Sequence, residues 1–302
     1  MTGPTLSEPA AAETGTALDR YRLLIDLEDR PGIVESVAGF LGRRGGNILD
    51  LDSHSTGEPP RFYMRAEFGV AAGSLDEEEF KREFAREIAP DLGVDCWELW
   101  PVARRKRVCV LVSKHGHCLT ELLTRWHQGE LPCDIDLVVS NHPDMATEAE
   151  RFGVEYLHVP VEKGHKPEAE AKILERIGGG RYDLHVLARY MQILSPEFLA
   201  GAGAPIINIH HSLLPAFIGA NPYSRARDRG VKIIGATAHY VTEDLDAGPI
   251  IEQDIVRVTH RLGVDEMVQA GRDIERTVLS RAVRWHLEDR VAVHGNSSLV
   301  FA

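Results

Sequence analysis

The stretch Ile207-Asn208-Ile209-His210-His211-Ser212-Leu213-Leu214-Pro215 sets an amide, two imidazoles and a hydroxyl at the end of an apolar, β-branched run that opens at Pro205. Such a run reads as a short buried strand that delivers polar side chains to the rim of a sheet. Rims are where open α/β sheets bind ligands. Asn208 and His210 are two apart, so a strand sends them out on one face and His211 on the other. Downstream, Glu243, Asp244 and Asp246 crowd a short loop between two further apolar runs. An acid from that loop, reaching Asn208 and His210, completes a set suited to attack on a carbonyl. The amide donates to the developing oxyanion, the imidazole shuttles a proton or donates a second bond, and the carboxylate orients the imidazole or handles water. Spacing alone leaves open which of the three acids does this.

Two other chemistries use the same residue types. Ser212 lacks the GxSxG elbow that presents a serine as a covalent nucleophile. His210, His211, His239 and Asp246 are ligand types for zinc or iron, but adjacent histidines on opposite strand faces do not share one ion, and no HExxH spacing occurs. No metal is expected.

The elements that must position this set follow from the apolar pattern. From Tyr21 the order is strand, helix, strand, strand, helix, strand, ending near Val102, which is the ferredoxin-like α+β arrangement. Beyond the basic seam Arg104 to Arg107, strands alternate with helices, which implies parallel βαβ units. The expected fold is therefore α/β: a flexible arm at 1–20, a ferredoxin-like domain at 21–101, and a doubly wound, mostly parallel sheet at 102–302. The triple glycine 178–180 follows a helix and precedes a strand, so it reads as a helix stop and not as a phosphate loop.

Composition narrows the function. A net charge of −12 over 302 residues argues against a nucleic-acid or anionic-membrane partner. No apolar run is long enough for a membrane span, and the first twenty residues lack a signal-peptide pattern. Four cysteines without a CxxC pair fit a reducing cytoplasm.

The run INIHHSLLPAFIGANPYSRARDRGVKIIGATAHYVTEDLDAGPIIEQ, with LARYMQILSP upstream, resembles the catalytic domain of the superfamily of 10-formyltetrahydrofolate hydrolases and transferases. Its Asn-x-His pair and Leu-Asp-x-Gly loop both stand here unaltered. The segment DRPGIVESVAGFLGRRGGNILDLDSHS resembles an ACT domain, and its fusion ahead of the catalytic domain, with HCLTELL and HHSLLPAFIGA, is similar to the hydrolase branch. The resemblance implies that the catalytic residues are Asn208, His210 and Asp246. It also implies that Met191, Gln192, Ile193 and Leu194, with Thr242, Glu243, Asp244 and Leu245, line the pocket for the folate pterin. The implied reaction is water attack on the N10-formyl carbon, giving tetrahydrofolate and formate, with folate as substrate and no cofactor. Balance of the one-carbon pool and formate supply for purine synthesis go with it. After the first strand of the catalytic domain stands VSKHGHCL, where transferases to glycinamide ribonucleotide carry a small-residue phosphate loop; bulky side chains there favour water as acceptor. The NPYSRARDRG segment departs from the pattern at Ser224 and Arg227. The alternatives are a formyltransferase to a small amine and a non-catalytic folate or amino-acid sensor. An ACT domain further implies an amino-acid effector bound between copies of a homo-oligomer, near Gly32, with Asn47 and Ile48 facing it.

Overall fold

The computed structural model describes residues 18–57, 59–215 and 222–302. The expected arm lies outside the described residues up to position 17, while Leu18 to Arg20 already belong to the first strand. The chain forms two compact units that divide between Arg104 and Arg105, three residues beyond the expected boundary.

The first unit runs β1 (Leu18–Glu28), α1 (Ile33–Arg43), β2 (Asn47–Ser55), β3 (Arg61–Ala71), α2 (Glu77–Glu87), α3 (Ala89–Leu92) and β4 (Val94–Pro101). Its four strands are antiparallel in the order β2-β3-β1-β4, the ferredoxin-like arrangement. Alternation in β1 sends Tyr21, Leu23, Ile25 and Leu27 into a core with Val37 and Phe40 of α1 and Phe80 and Phe84 of α2. Asp76 caps α2 by accepting from the Glu79 amide at 2.9 Å. Arg65 of β3 is also buried, and it is tolerable there because it pairs with Glu67 at 3.1 Å and Asp50 at 2.9 Å.

The second unit continues with β5 (Lys106–Val112), α4 (His117–His127), β6 (Cys133–Ser140), α5 (Ala146–Arg151), β7 (Glu155–His158), α6 (Lys166–Ile177), β8 (Leu184–Leu187) and α7 (Pro196–Ala202). Then come β9 (Ile206–His210), α8 (Pro222–Asp228), β10 (Ile233–Tyr240), β11 (Ile250–Arg257), α9 (Val264–Leu287), β12 (Val291–His294) and β13 (Ser297–Val300). Seven strands form one sheet in the order β11-β10-β9-β8-β5-β6-β7. β9 through β7 pair in parallel, and β10 and β11 add an antiparallel edge. Helices α4 and α9 pack on one apolar layer and α6 and α7 on the other, so the sheet is doubly wound.

The strand order turns round between β5 and β8. At such a switch point the loops leaving the two strands diverge and open a crevice beyond their carboxyl ends. The glycines at 178–180 end α6, with Gly179 and Gly180 both left-handed at φ 72, which is a helix stop as expected. At the opposite pole, Lys106 at the start of β5 donates to the His286 carbonyl at 3.0 Å and pairs with Asp289 just beyond α9. Among the described residues no helix is long and apolar enough to cross a membrane.

Candidate active site

β9 ends at the rim with Asn208 and His210 on one face, as alternation requires, while Ile207 and Ile209 enter the core beneath α9. β10 runs antiparallel beside it, and the register sets His239 opposite Asn208 and Thr237 opposite His210. The chain after Tyr240 folds back over this face and brings Asp246 to within 3.2 Å of His210, Oδ2 to Nδ1. Of the three acids the spacing left open, Asp246 is the one at the imidazole, while Glu243 and Asp244 are exposed.

The tautomers can be read from the partners. His239 Nδ1 lies 2.9 Å from the Tyr240 carbonyl, which can only accept, so Nδ1 carries the proton. Nε2 then presents a lone pair and accepts from the Asn208 amide nitrogen at 3.2 Å. That bond fixes the amide's orientation and leaves its second N–H for a ligand. Burial, set against the bond to the Tyr240 carbonyl, lowers the His239 pKa, so the ring stays neutral. Asp246 Oδ1 stands 3.7 Å from the same Nε2. His210, His239 and Asp246 thus do converge, but the His239 lone pair is already committed to Asn208, which argues against its use as a metal ligand. The hydrogen bond from His210 outweighs burial and holds the Asp246 carboxyl below its usual range, so it is a carboxylate at neutral pH.

Three supports fix these groups. Asp246 has a left-handed backbone, φ 56, which aspartate tolerates better than most residues. Gly248 lets the loop close, because a Cβ there would lie 1.9 Å from the Tyr240 carbonyl oxygen. Thr237 Oγ1 donates to the Ser212 carbonyl at 2.9 Å and accepts from the Leu214 amide at 3.0 Å, with Gln253 Nε2 donating to it at 2.9 Å. The chain leaving His210 is thereby clamped to β10.

His211 departs from the expected geometry. Its ring centroid lies 5.2 Å from that of His210 with the planes 32° apart, so the two imidazoles sit side by side and not on opposite faces. Strand alternation governs only residues within the strand, and β9 stops at His210.

Met191, Gln192, Ile193 and Leu194 follow β8, with the Met191 amide donating to Ser113 Oγ at 3.0 Å. Met191 and Ile193 are 56% and 62% exposed, and Leu245 on the facing loop is 60% exposed. Leu194 and Val241 pack on the same core layer, so the two segments share a foundation. Thr242 Oγ1 donates to the Asp244 carbonyl at 3.2 Å and braces the loop. Large apolar side chains left bare on two neighbouring loops suit the faces of a flat heterocycle.

Behind His211 is a second polar cluster that sequence reasoning missed. Glu275 of α9, only 2% exposed, lies 2.7 Å from His117 Nε2, accepts from the Tyr223 hydroxyl at 3.1 Å and stands 3.5 Å from Arg189 Nε. Burial opposes its ionisation, but the His117 bond and the Arg189 charge prevail and hold its pKa below the usual value. With Cys118, these residues bring three possible ligand atoms within 4.8 Å. Burial pushes the Cys118 thiol pKa up, and Glu275 is already balanced by Arg189, so a cation finds little charge to bind there. A depressed carboxylate pKa adds stability above the unfolded pKa that is lost as pH falls through the folded one. Glu275→Gln should therefore lower the melting temperature at pH 7 and converge on the parent below pH ~4; a constant difference across thermal melts from pH 3 to 7 would refute the charge pairing.

In the first unit, Gly32 is left-handed at φ 90 and supplies no side-chain cap to α1. Asn47 opens β2 and is exposed, while Ile48 packs against the core.

Residues 106–283 match the family model described as formyl transferase, and 21–87 match that of the ACT domain. These define a formyl-transferase catalytic domain behind an ACT domain. The formyltetrahydrofolate deformylase of Mycobacterium bovis is 52% identical over 94% of this chain and 91% of its own length. A crystal structure of a formyltetrahydrofolate deformylase from Pseudomonas syringae superposes with a TM-score of 0.90, at 46% identity and 96% coverage of both chains. Glycinamide ribonucleotide transformylase 1 from Symbiobacterium toebii aligns at 31% identity and a TM-score of 0.61, over 66% of this chain and 95% of its own. The chain belongs to the formyltetrahydrofolate deformylases.

Proposed function

We propose that this chain hydrolyses 10-formyltetrahydrofolate to tetrahydrofolate and formate, cleaving a linear amide C–N bond, as a cytoplasmic enzyme of the one-carbon pool. The observation that carries the reading is the convergence of Asn208, His210 and Asp246 beside an apolar rim, in a chain similar to deformylases over nearly all its length. The exposed Met191, Ile193 and Leu245 receive the pterin, which brings the N10-formyl carbon over the end of β9. As water adds, one of its protons passes to the Nε2 lone pair of His210, and the free N–H of Asn208 and the Nε2–H so formed donate to the oxyanion. Asp246, ionised, accepts from His210 Nδ1 and holds the ring in place while it carries that proton. The tetrahedral intermediate collapses when His210 Nε2 returns that proton to N10; the C–N10 bond breaks, tetrahydrofolate leaves, and the formic acid left behind ionises to formate. This route draws on water and side chains alone.

Purified protein with 10-formyltetrahydrofolate and no acceptor should release tetrahydrofolate and formate in equal amounts. Silence relieved by glycinamide ribonucleotide would make it a transferase, and silence in both cases a sensor.

The first unit, by the same reading, binds an amino-acid effector between copies of the chain. The uncapped start of α1 at Gly32 offers amide donors to a carboxylate. Glycine or methionine is expected to bind at equilibrium and to change turnover at saturation; if neither binds nor alters the rate, the unit has no such role.

A further inference from the structure

Arg189 takes no part in the hydrolysis above, yet the chain holds it at a cost. Its backbone is left-handed at φ 65, a conformation rarely adopted by residues with a Cβ. Its side chain is 13% exposed, and Nε and Nη1 are buried with no hydrogen-bond partner among the described residues. The 3.5 Å approach of Nε to Glu275 is an ion pair and too long for a good hydrogen bond. Glu275 meanwhile spends its oxygens on His117 and Tyr223. A buried guanidinium with unmade bonds is unfavourable unless something else completes them.

Its location says what that is. Arg189 lies just past β8 at the switch point, its carbonyl accepting from the Ser113 amide beyond β5 at 3.3 Å, and switch points are where open sheets of this kind take their ligands. The neighbouring residue Met191 is tied to Ser113 at the end of β5. Burial first, then the charge of Arg189, pushes the pKa of His211 down to about 4, so the guanidinium's field reaches the ring that lies against catalytic His210. His115 is lowered in the same way. With those imidazoles neutral, Arg189 carries a fixed positive charge behind the reaction centre, met by Glu275 on its Nε side only. A planar guanidinium edge matches a carboxylate in geometry and charge.

We propose that Arg189 is the docking group for a small carboxylate, and that the ion it takes is the formate released at Asn208 and His210. The identity of the ion rests on the hydrolase reading above. Nη1 and the edge turned away from Glu275 supply the donors, and the ion moves from the oxyanion position past His211 to the guanidinium. A carboxylate of the folate glutamate would be the same chemistry from another source, but it would come on a longer chain to a buried fork.

The test is titration of the full-length protein with carbon-13 formate, followed by NMR, in the parent, Arg189→Gly and Arg189→Lys. Glycine suits the left-handed backbone, so the first variant removes the guanidinium without backbone strain; circular dichroism checks the fold. Formate affinity should fall at least about tenfold in Arg189→Gly, and Arg189→Lys, a point charge without the fork, should fall between. Asn208→Ala should bind formate as the parent does, because binding needs no turnover. Equal affinity in parent and Arg189→Gly, or no binding to the parent, overturns the proposal. So does an Arg189→Gly variant with raised KM for folate and unchanged formate affinity, which assigns the guanidinium to the glutamate. Arg189-dependent formate binding in a protein without hydrolase activity keeps the anion site and removes the hydrolase reading.

Discussion

Asp246→Asn should lower turnover at least about a hundredfold, the usual scale for acid–base groups, with the fold and the KM for folate little changed. The fold is expected to survive because asparagine also tolerates the left-handed backbone that Asp246 adopts at φ 56. An asparagine oxygen can still accept from His210 Nδ1, so the 3.2 Å contact need not be lost. What is lost is the charge. The carboxylate is ionised, held below its usual pKa first by the His210 bond, and it steadies the positive charge on the ring while His210 carries the proton taken from water. Without it the imidazole is a weaker donor to the oxyanion and a poorer proton carrier. Steady-state assay of formate release checks this, and turnover within tenfold of the parent would remove Asp246 from the mechanism.

Gly248→Ala should abolish most of the activity through geometry alone, although residue 248 touches no substrate in the proposed route. Its Cβ would lie 1.9 Å from the Tyr240 carbonyl oxygen and 3.1 Å from Thr242 Cγ2. The carbonyl is backbone, and Tyr240 is the last residue of β10, so the loop must yield. Asp246 is two residues away and moves with it, out of reach of His210. Overpacking of this kind costs about 1–3 kcal/mol, which predicts a modest drop in melting temperature beside a loss of turnover comparable to Asp246→Asn. A variant that keeps parental kcat would show that the loop closes without the contact. This is also the physical content of the Leu-Asp-x-Gly pattern: the glycine closes the turn that aims the aspartate.

Much of this site was legible because its logic is local. Two residues two apart at the end of an apolar run share a strand face, and Asn208 and His210 do. The acid was narrowed to three candidates by charge and position, and only the family pattern chose Asp246, since a loop's return path is set by contacts such as Gly248 against Tyr240 that no periodicity encodes. His239 was weighed only as a metal ligand. Its positioning role depends on the β9–β10 register, which pairs it with Asn208 across 31 positions of sequence. Arg189 carried no periodic signal, because β8 ends at Leu187 and the residue turns left-handed beyond it. Glu275 carried no local signal, because one acid on a long amphipathic helix looks like its solvated neighbours until α9 is packed beneath β9. The domain pattern was readable throughout, from the alternation in β1 to the helix stop at 178–180.

The pairing of Lys106 with the end of α9 has a consequence for how such a chain is assembled from modules. It brings the first strand of the catalytic unit and its last long helix together at the pole opposite the reaction centre. A segment whose first strand starts beside the end of its last long helix can be joined to another gene product without opening its interior, since the graft adds chain at a site already closed. β5 spans about 23 Å at ~3.3 Å per residue, so an attachment at its start is a full strand away from the chemistry. Evolution could therefore couple this catalytic cassette to an ACT unit, or release it, without redesigning the residues that handle water.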